Sequence, residues 1–287
     1  MNKKILSLSL VGLFLAGCSS APKTEDAAPV APQEEVKPAT GSKPNSNMIE
    51  MKPADVKPVE ASPAKPIKYD VLNSAISSKN DERIKNASIE VLQNSPKDLK
   101  ALNALAMSYL QKGNSEAAIM LLNKMISIES RSSSAHANLG LVYLGRNEKR
   151  EAIEMFKKAL EYDSDNHVAA SNLGAIYVQA KDYNKALIAL ENTVDAGHAD
   201  ESTMSNYAIA LSATGKAQDA ANIYEKLLSK NNSNKNAMLN LAIVYIDKLN
   251  KFDEGLDLIN RLKFVGPDLE ARQTIKELEN KAKAGLK

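Results

Sequence analysis

From about residue 99 onward, apolar residues recur at helical spacing in segments separated by short polar turns. Leu102–Leu110 and Ala117–Ile128 form one such pair, and Lys112-Gly113-Asn114 is the turn between them. Written in rows of 34 residues from Leu99, the chain falls into columns. One column reads Leu105, Leu139, Leu173, Tyr207 and Leu241, and the next reads Ala106, Gly140, Gly174, Ala208 and Ala242. Three residues further on stand Tyr109, Tyr143, Tyr177, Leu211 and Tyr245. Allowing one inserted residue in the last row, Ala118, Ala152, Ala186 and Ala220 align with Gly255, and Leu122, Phe156, Leu190 and Tyr224 with Ile259. Columns in step over successive rows predict an all-α chain of stacked helix-turn-helix pairs. The small residues let paired backbones approach, and the Tyr and Leu columns fill the space between one pair and the next. Pro96 and Pro267 fall just past second helices, where a helix must stop.

The ends of the array read differently. Residues 68–98 predict a degenerate helix pair, with Val71, Leu72, Ala75 and Ile76 followed by Ile84, Ala87, Val91 and Leu92. Residues 270–287 carry a single apolar stripe, Ala271, Ile275, Leu278 and Ala282, on an otherwise charged helix. That pattern suits a terminal cap, whose outer face must be wet.

At these offsets the rows resemble the tetratricopeptide repeat (TPR), a 34-residue helix-turn-helix with Gly or Ala, Tyr, Ala and Pro in its pattern. The resemblance covers five repeats, 99–132, 133–166, 167–200, 201–234 and 235–269. No row carries the early Trp of the family, and the closing Pro survives only at Pro267 and, before the first full row, at Pro96. The resemblance implies a superhelical solenoid whose first helices line a concave binding surface. It assigns to that groove Asn103, Ser171 and Leu239 from the fifth offset, Met107, Leu141, Ile209 and Ile243 from the ninth, and Leu110, Leu144, Val178 and Ile246 from the twelfth. Lys100 is the exception to a nearly complete lack of basic residues there, so the cationic clamp by which some relatives hold a C-terminal carboxylate is missing. Such a groove suits an apolar strip on an amphipathic helix or an extended segment. Packing against neighbouring helices is the competing use of the same columns. Asn138, Asn172, Asn206 and Asn240 form a ladder at strict row spacing, able either to bond a bound peptide backbone or to serve the array itself.

The N-terminus is an address. Lys3 and Lys4 precede the apolar run Ile5–Leu15, which is shorter than the roughly 20 residues needed to span a bilayer. Residues 1–17 therefore read as a signal peptide. Leu15-Ala16-Gly17-Cys18 resembles the lipobox of bacterial lipoproteins, which implies cleavage before Cys18 and acylation of its thiol, palmitate included. Cys18 is the single cysteine of the chain, so no intramolecular disulfide can form. Ser19 and Ser20 follow where an Asp would favour the inner membrane, and the resemblance implies a lipid anchor in the bacterial outer membrane with the domain facing the periplasm. Between that anchor and residue 67, nine of the eleven prolines are interleaved with Ala, Lys, Glu, Ser and Thr. This composition cannot bury enough apolar surface to order itself, and it reads as a disordered Pro/Ala-rich tether.

Charge and chemistry narrow the function. A net charge of +2 and 5% aromatics argue against nucleic acid. Three histidines and one cysteine are a poor supply for a metal centre, and His136, His167 and His198 fall at different offsets, so they are not expected to converge. No nucleophile elbow, phosphate loop or HExxH is present; neither an enzyme nor a cofactor is expected. Asp163, Asp165 and Asp195 read as helix-end and turn residues. The expectation is an adaptor that holds an envelope protein, as outer-membrane lipoproteins of this layout do. They include pilotins for type IV pilus secretins, gliding-motility components and scaffolds for cell-wall hydrolases. The alternative is a structural lipoprotein that self-associates.

Overall fold

The computed structural model describes residues 69–287. The signal peptide, Cys18 and the tether lie outside the described residues. Among the described residues the chain is helical throughout. It runs α1 (Asp70–Ser77), α2 (Asp81–Asn94), α3 (Leu99–Gln111), α4 (Ser115–Ile128), α5 (Ser133–Gly145), α6 (Lys149–Tyr162) and α7 (His167–Gln179). It continues with α8 (Tyr183–Asp195), α9 (Glu201–Ala213), α10 (Ala217–Lys230), α11 (Lys235–Val244), α12 (Phe252–Val265) and α13 (Arg272–Gly285).

The helix starts follow from side-chain chemistry. Asn80, Asp98, Asn114, Asn166, Asp182, Asp200 and Asn234 each precede a helix and accept a hydrogen bond from the backbone N–H three residues on. Each such cap satisfies a donor the helix cannot use and contributes about 1 kcal/mol. Within a pair the turn needs one residue at positive φ, taken by Gly113, Asn147, Lys181, Gly215 and Asn250 in the five rows. Gly and Asn adopt that conformation readily, whereas a Lys there is strained.

Packing is strictly local. Each helix packs on its chain neighbours, and the first helices also touch the next first helix along, as in α3 on α5 or α7 on α9. One core cluster gathers Leu102, Leu105, Leu121, Leu122, Met125 and Leu139 from α3, α4 and α5, so every first helix is shared between two pairs. Phe156 of α6 and Leu190 of α8 are fully buried against the glycines of the preceding first helix: Phe156 stands over Gly140 and Leu190 over Gly174. Burying a side chain of this size contributes roughly 1.5–3 kcal/mol. On the surface, Lys112 pairs with Glu82 and Arg146 with Glu116, tying one pair to the one before, and Arg146 also pairs with Glu148 in its own turn. Such exposed pairs are screened by solvent and add little to stability.

The inserted residue of the last row has a definite place. α11 closes in a π-helical turn, Tyr245–Leu249, and Asn250 follows at φ 54°. In the earlier rows the N–H that opens the second helix bonds the carbonyl five residues back, as Asn114 does to Tyr109 and Glu148 to Tyr143. Lys251 reaches back six, to the Tyr245 carbonyl at 2.9 Å. The looser turn absorbs the extra residue, so α12 still packs on α11.

Candidate functional site

The first helices α3, α5, α7, α9 and α11 carry the columns assigned to the groove. Their ninth-offset residues Met107, Leu141, Ile209 and Ile243 are half-buried, as are Leu110, Leu144 and Val178 from the twelfth offset. None of these side chains carries a charge. Leu110 also packs against the core cluster of α3–α5, and Leu141, Leu144 and Val178 against the next cluster along. Each thus gives part of its surface to the fold and leaves part for solvent or a partner.

Two of the sequence assignments are corrected. Leu239 is 4% exposed and Ile246 has no exposed surface at all. Leu239 lies in α11 with its side chain in the core. Ile246 lies in the π-helical turn, where the extra residue turns its side chain onto Gly255. Neither is available to a partner, and the apolar strip narrows at its C-terminal end.

The polar positions are largely engaged within the array. Asn138 donates to the side-chain oxygen of Asn103 at 2.5 Å, linking α5 to α3. Asn172 donates to the Val168 carbonyl of its own helix at 2.8 Å, and Asn240 is half-buried in α11. The Ser171 hydroxyl accepts from Thr203 at 3.0 Å, joining α7 to α9. Asn206 is half-buried in α9. Of the ladder, Asn138 ties two helices together and Asn172 bonds within its own, while Asn138, Asn172, Asn206 and Asn240 all keep some exposed surface.

Among the described residues, no group of three or more His, Cys, Asp or Glu side chains could hold a metal ion. The histidines nonetheless differ from expectation. His136 is buried, its Nδ1 is 2.9 Å from the Ser132 carbonyl, and its ring meets Tyr162 edge-on at 5.1 Å. His167 and His198 do converge, with ring centroids 5.7 Å apart. Column offsets missed this because the two residues come from the two ends of one row and meet through a linker. Asp163 and Asp165 sit in the turn after α6, where the Asp165 N–H bonds the Asp163 carboxylate, and Asp195 ends α8.

A hollow that sequence reading did not anticipate opens between α10, the end of α11 and α12. Leu228, Leu241 and Leu258 line it, with Glu225, Asp253 and Asp257 among its acids. The Tyr245 hydroxyl donates to Glu225 at 2.5 Å across one wall. Burial first, and the Glu225 carboxylate second, push the ionisation of this phenol well above the usual range.

Tetratricopeptide-repeat family models match residues 99–131, 133–166 and 211–278. The array is built of tetratricopeptide repeats. Among solved TPR-like structures, YrrB, described as a TPR protein with an unusual peptide-binding site, superposes with a TM-score of 0.59 at 20% identity. That match covers 67% of this chain and 98% of YrrB. The pilF protein of Pseudomonas aeruginosa matches at 25% identity with a TM-score of 0.51, over 67% of this chain and 90% of its own. MamA matches at 20% identity and a TM-score of 0.51, over 60% and 94%. No curated protein matches the chain by sequence. The likenesses to YrrB and MamA speak to the fold, and TPR arrays act as protein-interaction scaffolds.

Proposed function

We propose that the chain is a lipid-anchored TPR adaptor of the bacterial outer membrane, which holds an envelope protein in its concave groove and assists assembly of a cell-envelope machine. A type IV pilus secretin or a gliding-motility complex is the machine favoured. The observation that carries the binding reading is the run of half-buried, uncharged side chains from Met107 to Ile243 on successive first helices. An apolar strip of this kind suits an amphipathic helix or an extended segment. The lipobox-like Leu15-Ala16-Gly17-Cys18 supports the anchor, and the likeness to the pilF protein supports the pilus refinement. The long proline-rich segment would let the groove search the periplasm while the anchor holds.

The test is in-cell crosslinking and affinity capture from solubilised envelope. Wild type is compared with a variant carrying Met107, Ile209 and Ile243 as Gln, and with a control carrying Met120 and Ile188 as Gln. Met120 and Ile188 lie exposed on the second helices α4 and α8. Wild type and control should enrich the same secretin or motility component, and the groove variant should lose it while keeping its helicity. Equal capture by all three would remove the groove from the reading. Recovery of the chain alone would favour self-association instead. In parallel, Cys18→Ala should move the protein from the membrane to the soluble fraction, and retention would remove the anchor.

A further inference from the structure

His167 is the first residue of α7, and His198 stands in the linker between α8 and α9. The linker is what brings them together. The second helices α4, α6 and α10 are each followed by an extended residue, with φ of −133°, −150° and −140° at Glu129, Asp163 and Asn231. α8 ends otherwise. Ala196 keeps a helical φ of −72°, and Gly197 turns left-handed at φ 74°. The N–H groups of Gly197 and His198 then bond the carbonyls of Val194 and Thr193, each at 3.0 Å. This Schellman turn needs its glycine, and it carries His198 back over the start of the same repeat. The two rings face each other at 5.7 Å between centroids with planes 56° apart. Both residues are exposed to solvent, and the histidine hydrogen bond among the described residues belongs to His136 instead.

We propose that His167 and His198 together bind one divalent transition-metal ion of the class imidazole serves, such as zinc, nickel or copper(II). Imidazole nitrogen binds zinc at about 2.0–2.1 Å, so two rings on one tetrahedral ion have centroids roughly 5 Å apart. A small side-chain rotation covers the difference. No third protein ligand joins them among the described residues, so water or a small anion completes the coordination. Asp165, in the turn before α7, and Asp195, at the end of α8, are exposed and add negative charge that favours a cation. The bound ion cross-links the start of α7 to the α8–α9 linker and so fixes the angle at which the third repeat hands on to the fourth. His136 does not compete, being buried with its Nδ1 at the Ser132 carbonyl.

The experiment is calorimetric titration of the untagged chain with zinc in a non-coordinating buffer, with Cys18 as Ser in every sample so that no thiol binds the metal. One ion per chain is expected. His167→Gln and His198→Gln should each weaken binding by at least the roughly 10–100-fold that loss of a mere ligand-supporting contact costs. The double variant should lose little more than either single one, because the site needs both rings. Zinc should raise the thermal midpoint of the starting protein and not that of the variants. Both histidines are exposed, so the variants should fold, and circular dichroism checks it. Absence of binding overturns the proposal, and so does equal binding by the double variant. A single variant that binds like the starting protein also overturns it, since one imidazole would then suffice.

Discussion

Replacing Gly140 with Ala sets two opposing effects on one carbon atom. Gly140 and Gly145 both lie in α5. In a helix interior Ala is favoured over Gly by about 1 kcal/mol, so propensity alone says both substitutions stabilise. At Gly145 nothing lies within 4 Å of the added Cβ, and part of that gain should be kept at the helix end. At Gly140 the Cβ would stand 2.6 Å from Cε1 and 2.7 Å from Cδ1 of Phe156. Phe156 is fully buried, and its ring can yield only if its neighbours move too. Overpacking a filled site costs typically 1–3 kcal/mol, which outweighs the propensity gain. Gly140→Ala should therefore destabilise by roughly 1 kcal/mol, while Gly145→Ala stabilises by up to about 0.5 kcal/mol. Urea unfolding followed by far-UV circular dichroism reads both. Arrays can lose cooperativity, so midpoints are compared only where the slope is unchanged. A double-mutant cycle with Phe156→Ala adds a sharper criterion: in the Gly140→Ala background the truncation should cost less than in wild type, by about 0.5 kcal/mol or more. If Gly140→Ala raises the midpoint as Gly145→Ala does, close helix approach is not what the small column provides.

Lys181 adopts φ 61° where other rows have Gly113 and Gly215, so Lys181→Gly should stabilise by about 0.5–1 kcal/mol, read as a higher thermal midpoint. Burial holds the Tyr224 and Tyr245 phenols protonated to higher pH than in the unfolded chain. The folded state then binds more protons than the unfolded one above about pH 10, so this stability is full below that pH and is lost as pH rises further. Thermal midpoints measured from about pH 9 upward should fall, and less steeply in Tyr245→Phe. Glu279 is held below the usual carboxylate range by Lys263 and Lys283, so its small, solvent-screened contribution is present at neutral pH and fades in acid as Glu279 protonates. Lys263→Ala and Lys283→Ala together should flatten the acid limb of the same profile.

The repeat order was legible in the chain because a solenoid is a local structure. Its core contacts join residues within a row or one row apart, so the 34-residue columns carry the geometry directly. The small column beside Phe156 and Leu190 was readable for that reason. Legibility failed where one row departs from its register. Gly255 revealed an inserted residue, but nothing in the pattern said that a π-helical turn would absorb it and bury Ile246. Leu239 failed because a column of apolar residues does not say which of its members the fold covers completely. The meeting of His167 with His198 depends on the turn at Gly197, a backbone choice that a column of side chains does not encode. The asparagine ladder was visible as a ladder, but its partners depend on which rotamer finds an acceptor, as Asn138 finds Asn103 and Asn172 finds Val168.

The nearest-neighbour packing has a mechanical consequence. With helices touching only the one or two on either side, a pull along the array meets no single contact that bridges its length. Junctions in series each bear the full tension and divide the extension among them, so each needs to open by only a small angle. Such an object is a spring: compliant over short extensions and recoiling when released. A protein held between a surface and a growing assembly would transmit load gradually, and its curvature, with the spacing of the side chains it presents, would change with the force applied.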